Sequence, residues 1–391
     1  MKARGFHAML MIGAAFASVL AVVGAGSASA TATTVPIGVD QPTPAGHNFA
    51  SVDFFPREDV RVHSGTVLDF AWAANPDGFH TATLLKKGET PEQAWDVAHR
   101  AIVGDPDDGH GQLQLDPQGI VLSTRPPAGT PAPGACGDAA TPCPFDGTSD
   151  LSSGGHGTDG TTHFFAQLGV APGTTVHFIC LVHRGMEGEV KVVGSDEAAT
   201  PLSSVSHRAD EQRRADNREG VKAEHEALKA AAATSHEESP TVIAGTHSRH
   251  VEVLEMLPAT VHVDDHTRVH FVTKTAADIH TVTFPQSTEE GDPLPFFCEA
   301  PGADTPFDFA TAPPGPPCGN PFLLEDHYNP APFGATAIAT PSTVGSSQLL
   351  SNEEARWPGT DEDYTYSFPN NGTFTYKCHI HDHMLGTVVA S

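Results

Sequence analysis

The chain carries the same short arrangement of three potential metal ligands twice. The segment "CLVHRGMEGEV" occupies residues 180–190, and "CHIHDHMLGTV" occupies residues 378–388. Both contain a cysteine, a histidine and a methionine at spacings of three residues. The six side chains are Cys180, His183, Met186, Cys378, His381 and Met384. With 6 Cys, 23 His and 6 Met among 391 residues, random placement would give roughly 0.005 such triplets, so the repetition indicates a function.

The similarity between the two halves extends upstream of the triplets. The segment "VRVHSGTVLDFAWAANPDGFHTATL" aligns with "VHVDDHTRVHFVTKTAADIHTVTF", which places His80 opposite His280. This histidine precedes the cysteine by 100 residues in the first copy and by 98 in the second. A repeat of this size indicates a duplicated domain rather than a solenoid unit. Alternating apolar residues before each cysteine, together with 37 Gly and 33 Pro, predict an all-β protein with long loops.

The N-terminal segment has the composition of an export signal. Lys2 and Arg4 precede an apolar stretch, and "SASA" at residues 27–30 offers a cleavage site. No later run could span a bilayer, so we expect a secreted or periplasmic protein without membrane insertion. The expected organisation is a signal peptide at 1–30, a first domain at 31–194, a linker at 195–246 and a second domain at 247–391.

The acidic composition limits the classes of partner. The formal net charge is −27, and removal of residues 1–30 takes away two basic and no acidic residues, which makes it −29. This charge argues against nucleic acid and anionic membranes as ligands and favours a basic protein partner. The oligomeric state does not follow from these features.

The composition of the linker between the two copies predicts a helix. Residues 207–233 lack proline, contain one glycine and are rich in Ala, Glu, Lys and Arg. Because apolar residues are few, the favoured interpretation is a solvated spacer helix. The alternative is a helix that packs on both domains and fixes their geometry. A second helix is predicted after Thr90, where Thr90 and Gln93 form a capping box.

Four cysteines lie outside the repeated triplets. Cys136 and Cys143 are close in sequence, as are Cys298 and Cys318, and each pair lies in a Pro-rich loop. Export permits disulfides, so the favoured interpretation is a local bridge within each pair. Four reduced thiols are the alternative, and neither pair has the spacing of a zinc finger.

The triplets contain the ligands that suit copper. A thiolate, two imidazoles and a weak axial thioether stabilise both Cu(I) and Cu(II). Each triplet supplies one imidazole, and the repeat nominates His80 and His280 as the second. The alternative interpretation is a buried cysteine and methionine in a strand–turn–strand core with a histidine at the surface.

These motifs resemble the plastocyanin/azurin family of type 1 (blue) copper proteins, and the short ligand loops are similar to that of amicyanin. The resemblance implies two cupredoxin domains, each a Greek-key β-sandwich, with one type 1 copper ion in each. The implied ligands are His80, Cys180, His183 and Met186 in the first domain, and His280, Cys378, His381 and Met384 in the second.

The resemblance implies electron transfer with a redox protein partner. In that family the histidine after the cysteine lies near the surface and passes electrons to and from the partner protein. His183 and His381 are therefore the expected electron ports, the residues through which electrons enter or leave each centre. Copper buffering or delivery is one alternative. An atypical two-domain copper oxidase is another, although His-x-His occurs only in "HIHDH" at residues 379–383. In the same segment, His383 is an alternative ligand to His381. We expect a carrier rather than an enzyme.

Overall fold

Short β-strands dominate the part of the chain that the structure describes. The computed structural model describes residues 33–42, 44–73, 80–99, 102–104, 113–115, 136–156, 163–181, 183–264, 267–275, 277–286, 336–343, 345–347, 350–352, 361–378, 381 and 383–391. The strands in chain order are β1 Thr34–Val39, β2 Phe49–Ser51, β3 Phe54–Phe55, β4 Val60–His63, β5 Val67–Trp72, β6 His80–Leu84, β7 Ile102–Gly104, β8 Leu113–Leu115, β9 Cys143–Phe145, β10 Leu151–His156, β11 His163–Leu168, β12 Thr175–Ile179, β13 Glu187–Val193, β14 Thr241–His247, β15 Val251–Leu257, β16 Thr260–Val263, β17 Arg268–Lys274, β18 Thr283–Phe284, β19 Gly345–Ser346, β20 Asp363–Ser367, β21 Gly372–Lys377 and β22 Leu385–Ala390. Within these residues there are two helices, α1 Pro91–His99 and α2 Leu202–Ala233, and neither has an apolar run long enough to cross a membrane.

Two five-stranded sheets form the first sandwich. Their strand orders are β3-β1-β5-β11-β9 and β10-β6-β12-β13-β4. Alternate residues of both sheets point inward and form one apolar core. At its centre the ring of Phe70 makes edge contacts with Phe54 and Phe178, at centroid distances of 6.1 and 5.2 Å.

The second sandwich repeats this plan. Its sheets have the orders β2-β15-β14-β17-β20 and β16-β22-β21-β18-β19. Phe271, which aligns with Phe70, makes edge contacts with Tyr376 and Phe284 at 5.2 and 6.3 Å. The predicted all-β class, with two sandwiches joined by a helix, is confirmed.

Strand β2 lies in the first half of the chain but completes a sheet of the second sandwich. Ser51 pairs with Val251, and Phe49 pairs with Val253, in antiparallel register. The Phe49 side chain is buried in an apolar cluster with α2 and β15. The described residues from Thr33 onward form one compact unit. The domain boundaries drawn from the sequence stay a prediction.

Helix α2 packs on both sandwiches, so its interpretation as a solvated spacer is wrong. It contacts β1 and β3 of the first sandwich and β14 and β15 of the second. Small side chains allow this close approach: a Cβ at Gly220 would lie only 2.8 Å from the ring of Phe49. A count of large apolar residues missed this face because alanine and glycine form most of it. The buried positions are Val205, Ala209, Asp216, Gly220, Ala223, Ala227 and Ala231.

Two local predictions are confirmed. Ahead of α1, the Thr90 N–H donates to Gln93 Oε1 at 3.1 Å, and the Gln93 N–H donates to Thr90 Oγ1 at 3.2 Å. Cys136 and Cys143 form a disulfide. The signal-peptide region 1–30 and the pair Cys298 and Cys318 lie outside the described residues.

Candidate metal centres

Each ligand loop is the tip of a hairpin closed by two backbone hydrogen bonds. In the first copy the Cys180 N–H donates to the Met186 carbonyl at 2.9 Å, and the Met186 N–H donates to the His183 carbonyl at 3.2 Å. The corresponding bonds of Cys378 and Met384 are 2.9 and 3.1 Å long. Strands β12 and β13 flank the first loop, and β21 and β22 flank the second. Strand register therefore fixes the spacing of the ligands.

The glycine that follows each methionine is explained by an aromatic ring. Gly188 lies against the ring of Phe178, and Gly386 lies against the ring of Tyr376. Any Cβ at either glycine would overlap the ring. The repeated Met-x-Gly therefore reflects how closely the loop strand approaches the core.

The first site brings together three residues from two strand ends. His80 begins β6, which pairs with β12 and so lies beside Cys180. The Cys180 sulfur is 3.8 Å from His80 Nδ1 and 3.7 Å from His183 Nδ1. All three side chains are buried.

The second site has the same geometry. The Cys378 sulfur is 3.9 Å from His280 Nδ1 and 3.6 Å from His381 Nδ1. His383 is exposed, so it is His381 that lies against the cysteine. The methionines of the two loops, Met186 and Met384, are buried in the same apolar cores as the cysteines.

Both cysteine sulfurs lie where a thiolate is stabilised. The backbone N–H groups of Thr81 and Thr281 each point at a cysteine sulfur at 3.4 Å. Burial alone would raise the pKa of the thiols. The hydrogen bonds with the two histidines and the charge of those histidines together outweigh burial, lowering the pKa of Cys180 well below its usual value and that of Cys378 to about 5. The thiolate is the form that binds soft metals.

A buried carboxylate faces the outer nitrogen of each upstream histidine. Glu252 Oε1 is 3.2 Å from His280 Nε2, which is hydrogen-bond distance. Asp40 Oδ2 is 3.6 Å from His80 Nε2, an ion-pair contact that is longer than a hydrogen bond. Gly245, with φ 78°, leaves room for His280, because a Cβ there would collide with the imidazole ring.

A single carboxylate faces the outer nitrogens of both downstream histidines. Asp278 Oδ2 is 3.0 Å from His381 Nε2 and 3.5 Å from His183 Nε2. The Ile279 N–H donates to the other oxygen, Asp278 Oδ1, at 2.7 Å and fixes the carboxylate. Burial would raise the pKa of Asp278, but the charge of His381 and the contacts with both histidines lower it well below its usual value.

The donors fit copper. Each site combines a thiolate and two imidazole nitrogens, and a thioether lies in the same loop. Each imidazole directs Nδ1 at the sulfur and Nε2 at a carboxylate, the arrangement in which a metal-bound histidine donates its remaining N–H outward. The predicted cysteines and histidines are thus brought together in two groups.

The downstream histidines are not surface ports. His183 and His381 are only 6% and 4% exposed, and both face Asp278 at the junction of the two sandwiches. The expectation that these histidines lie near the surface is wrong, because both imidazoles are buried against the Asp278 carboxylate.

Sequence reasoning missed the three carboxylates. Asp40 and Glu252 reach the histidines through tertiary contacts, and no motif identifies them. Asp278 offered one signal: it lies two residues before His280, where the aligned first copy has Gly78.

Comparisons with known proteins give only distant similarity. No protein-family model matches the chain, and no curated protein does. Among solved structures, a reduced Cu(I) form of an amicyanin mutant is 14% identical with a TM-score of 0.20, covering 41% of this chain and 90% of amicyanin. An oxidised plastocyanin from Dryopteris crassirhizoma is 16% identical with a TM-score of 0.20, covering 39% of this chain and 99% of plastocyanin. Because these scores are so low, the function is argued from the residues of the two sites.

Proposed function

We propose that this protein binds copper at two type 1 centres and transfers electrons with a protein partner. The observation that carries the proposal is the pair of buried cysteine–histidine–histidine groups in one chain. When bound, copper supplies one-electron chemistry by cycling between Cu(I) and Cu(II). The proposed ligands are His80, Cys180, His183 and Met186 in the first centre, and His280, Cys378, His381 and Met384 in the second.

The protein's own part is to hold the donors rigidly and exclude water. Three donors of each set lie in a hairpin loop, and the two loops are closed by matching backbone hydrogen bonds. A rigid, dry site changes little between the two oxidation states, which favours fast electron transfer. Burial of His183 and His381 also favours retention of the metal, so we propose a carrier rather than a buffering or delivery protein.

An oxidase would need further copper. The other candidate metal group among the described residues is His47 with Glu224 and Glu255, which is half-buried and has no thiolate. This group has one imidazole, and we propose a carrier rather than an oxidase. We further propose that the protein is exported, either secreted or periplasmic, and that its redox partner is basic, on the grounds of the N-terminal segment and the net charge.

Copper loading tests the proposal. The full chain is loaded with Cu(II), freed of excess metal and examined by metal counting, visible absorption and electron paramagnetic resonance. We expect two copper ions per chain and an intense thiolate-to-copper band that disappears on reduction. A colourless protein after loading contradicts the type 1 assignment. Ready loss of reduced copper to a chelator supports delivery instead, and more than two bound copper ions support an oxidase.

A further inference from the structure

The two centres meet at one oxygen atom. Asp278 Oδ2 lies 3.0 Å from His381 Nε2 and 3.5 Å from His183 Nε2, so a single atom separates the outer edges of the two downstream imidazoles. The Asp278 side chain is 14% exposed, and both histidines are buried.

The Asp278 carboxylate is positioned to accept hydrogen bonds from two imidazole N–H groups. Its Oδ1 is occupied by the Ile279 N–H at 2.7 Å, which leaves Oδ2 directed at the imidazoles. Both imidazoles direct Nδ1 at a cysteine sulfur, at 3.7 Å for His183 and 3.6 Å for His381. Nε2 is therefore the nitrogen that carries the proton toward Asp278 when Nδ1 binds a metal.

The carboxylate comes from the second copy. In the aligned sequence Gly78 stands opposite Asp278. The first centre thus receives its outer carboxylate for His183 from the other sandwich, across the junction.

We propose that Asp278 serves both metal centres, positioning His183 and His381 at once, and that the connection His183–Asp278–His381 is the route by which the two centres exchange an electron. This inference rests on the proposed function. One electron leaves the reduced centre and arrives at the oxidised centre. No covalent bond breaks, and the imidazole protons stay at Nε2.

The route differs from a surface port. A port exposes the imidazole edge to a partner, whereas here both edges face inward. Internal exchange then lets an electron taken up at one centre be released from the other.

The first test measures metal affinity one centre at a time. Cys378→Ser leaves only the first centre complete, and Cys180→Ser leaves only the second. Asp278→Asn, added to each, should lower Cu(I) affinity about 10–100-fold in both backgrounds, as expected for loss of an outer carboxylate. The matched controls are Asp40→Asn, expected to act only on the first centre, and Glu252→Gln, expected to act only on the second. An Asp278→Asn effect on one centre alone, or on neither, overturns the shared role.

The second test needs no substitution and no electron transfer. In the full chain loaded with Zn²⁺, nuclear magnetic resonance should show Nε2 protons on His183 and His381 that exchange slowly with solvent. Fast exchange at either ring contradicts the contact. This result is independent of copper chemistry, so it separates failure of the Asp278 assignment from failure of the copper proposal, which the metal count and the visible band report.

The third test follows the electron. Pulse reduction of the two-copper protein should show exchange between the centres that Asp278→Asn slows by at least tenfold while the copper count stays at two. Asp40→Asn and Glu252→Gln should shift one potential each and leave the path intact. Equal exchange rates in the parent protein and Asp278→Asn, with both coppers bound, rule out this route.

Discussion

The ligand loops of the two sandwiches are nearly identical, whereas the groups around them differ. Hydrogen bonds that close the loops agree within 0.1 Å, at 2.9 and 3.2 Å in the first and 2.9 and 3.1 Å in the second. The outer carboxylates do not agree: His80 faces Asp40 at 3.6 Å, but His280 faces Glu252 at 3.2 Å. Asp278 is also nearer to the second centre. The two copies therefore share the geometry of the loop but differ in the charged groups around it.

The helix between the sandwiches shows a second difference. It meets the first sandwich through Val205, which joins the apolar core, and through polar groups such as the Gln212 amide, which donates to Asp53 Oδ2 at 2.6 Å. It meets the second through Ala223, Ala227 and Ala231, which join an apolar cluster with Phe49. Stability at the two ends should therefore respond to different perturbations.

The largest expected effect separates the two centres directly. Cys180→Ser and Cys378→Ser should each remove one copper and about half of the visible band, because the thiolate is both ligand and chromophore. Metal counting with absorption spectra checks this. If one variant loses both coppers, copper binding at one centre depends on an intact second centre.

A smaller change should break the second centre alone. Gly245→Ala places a methyl group against the His280 ring at a backbone φ of 78°. We expect destabilisation by about 2–3 kcal/mol and weaker copper binding at the second centre only. Gly154→Ala is the matched control, because its φ is 79° with nothing within 4 Å of the added Cβ. Urea unfolding and copper titration measure both effects; equal losses in the two variants would mean that His280 does not fill the space.

The apolar end of the helix is sensitive to charge. Ala227→Glu buries a carboxylate at a position that is 5% exposed, and should lower the free energy of unfolding by about 2–3 kcal/mol. Val221→Glu, at a position that is 42% exposed on the same helix, should change it by less than about 0.5 kcal/mol. Similar losses from both would contradict the packed face.

The polar end should respond to pH. Burial, followed by the charge of Asp53, raises the pKa of Asp216 from 3.8 to about 8. Because the folded state holds this proton more tightly than the unfolded state, the contribution of Asp216 to stability is fully present below pH 4 and is lost as pH rises toward 8. Burial also raises the pKa of Asp53 to about 6, which acts in the same direction.

Asp216→Asn should therefore reduce the loss of stability that accompanies rising pH, and should stabilise the protein most at alkaline pH. Thermal unfolding at pH 5.5 and 8.5 measures both effects. Asp210→Asn, on the same helix with its side chain 60% exposed, is the control. If stability depends on pH in the same way in Asp216→Asn as in the parent protein, other groups cause the pH dependence.

The grouping of the cysteines with the histidines could be predicted because each triplet is nearly contiguous in sequence and occurs twice. The cysteine, histidine and methionine of each loop are fixed by one hairpin, and the alignment of the copies led to His80 and His280. Asp40, Glu252 and Asp278 could not be found, since each acts through a tertiary contact that no periodicity encodes. The packed face of α2 was missed for a related reason: alanine is unremarkable in a helix until a sheet lies against it.

Strand β2 has a consequence for how the duplicated protein can be divided. Phe49 to Ser51 come before the first sandwich is complete, yet they pair with Val251 to Val253 of the second. A fragment starting at β14 would keep β14 but lack β2, so β15 would become a sheet edge with unpaired N–H and C=O groups open to the strands of other molecules. Because β2 joins the two halves, we expect one cooperative unfolding transition for the full chain and poor solubility for either half alone.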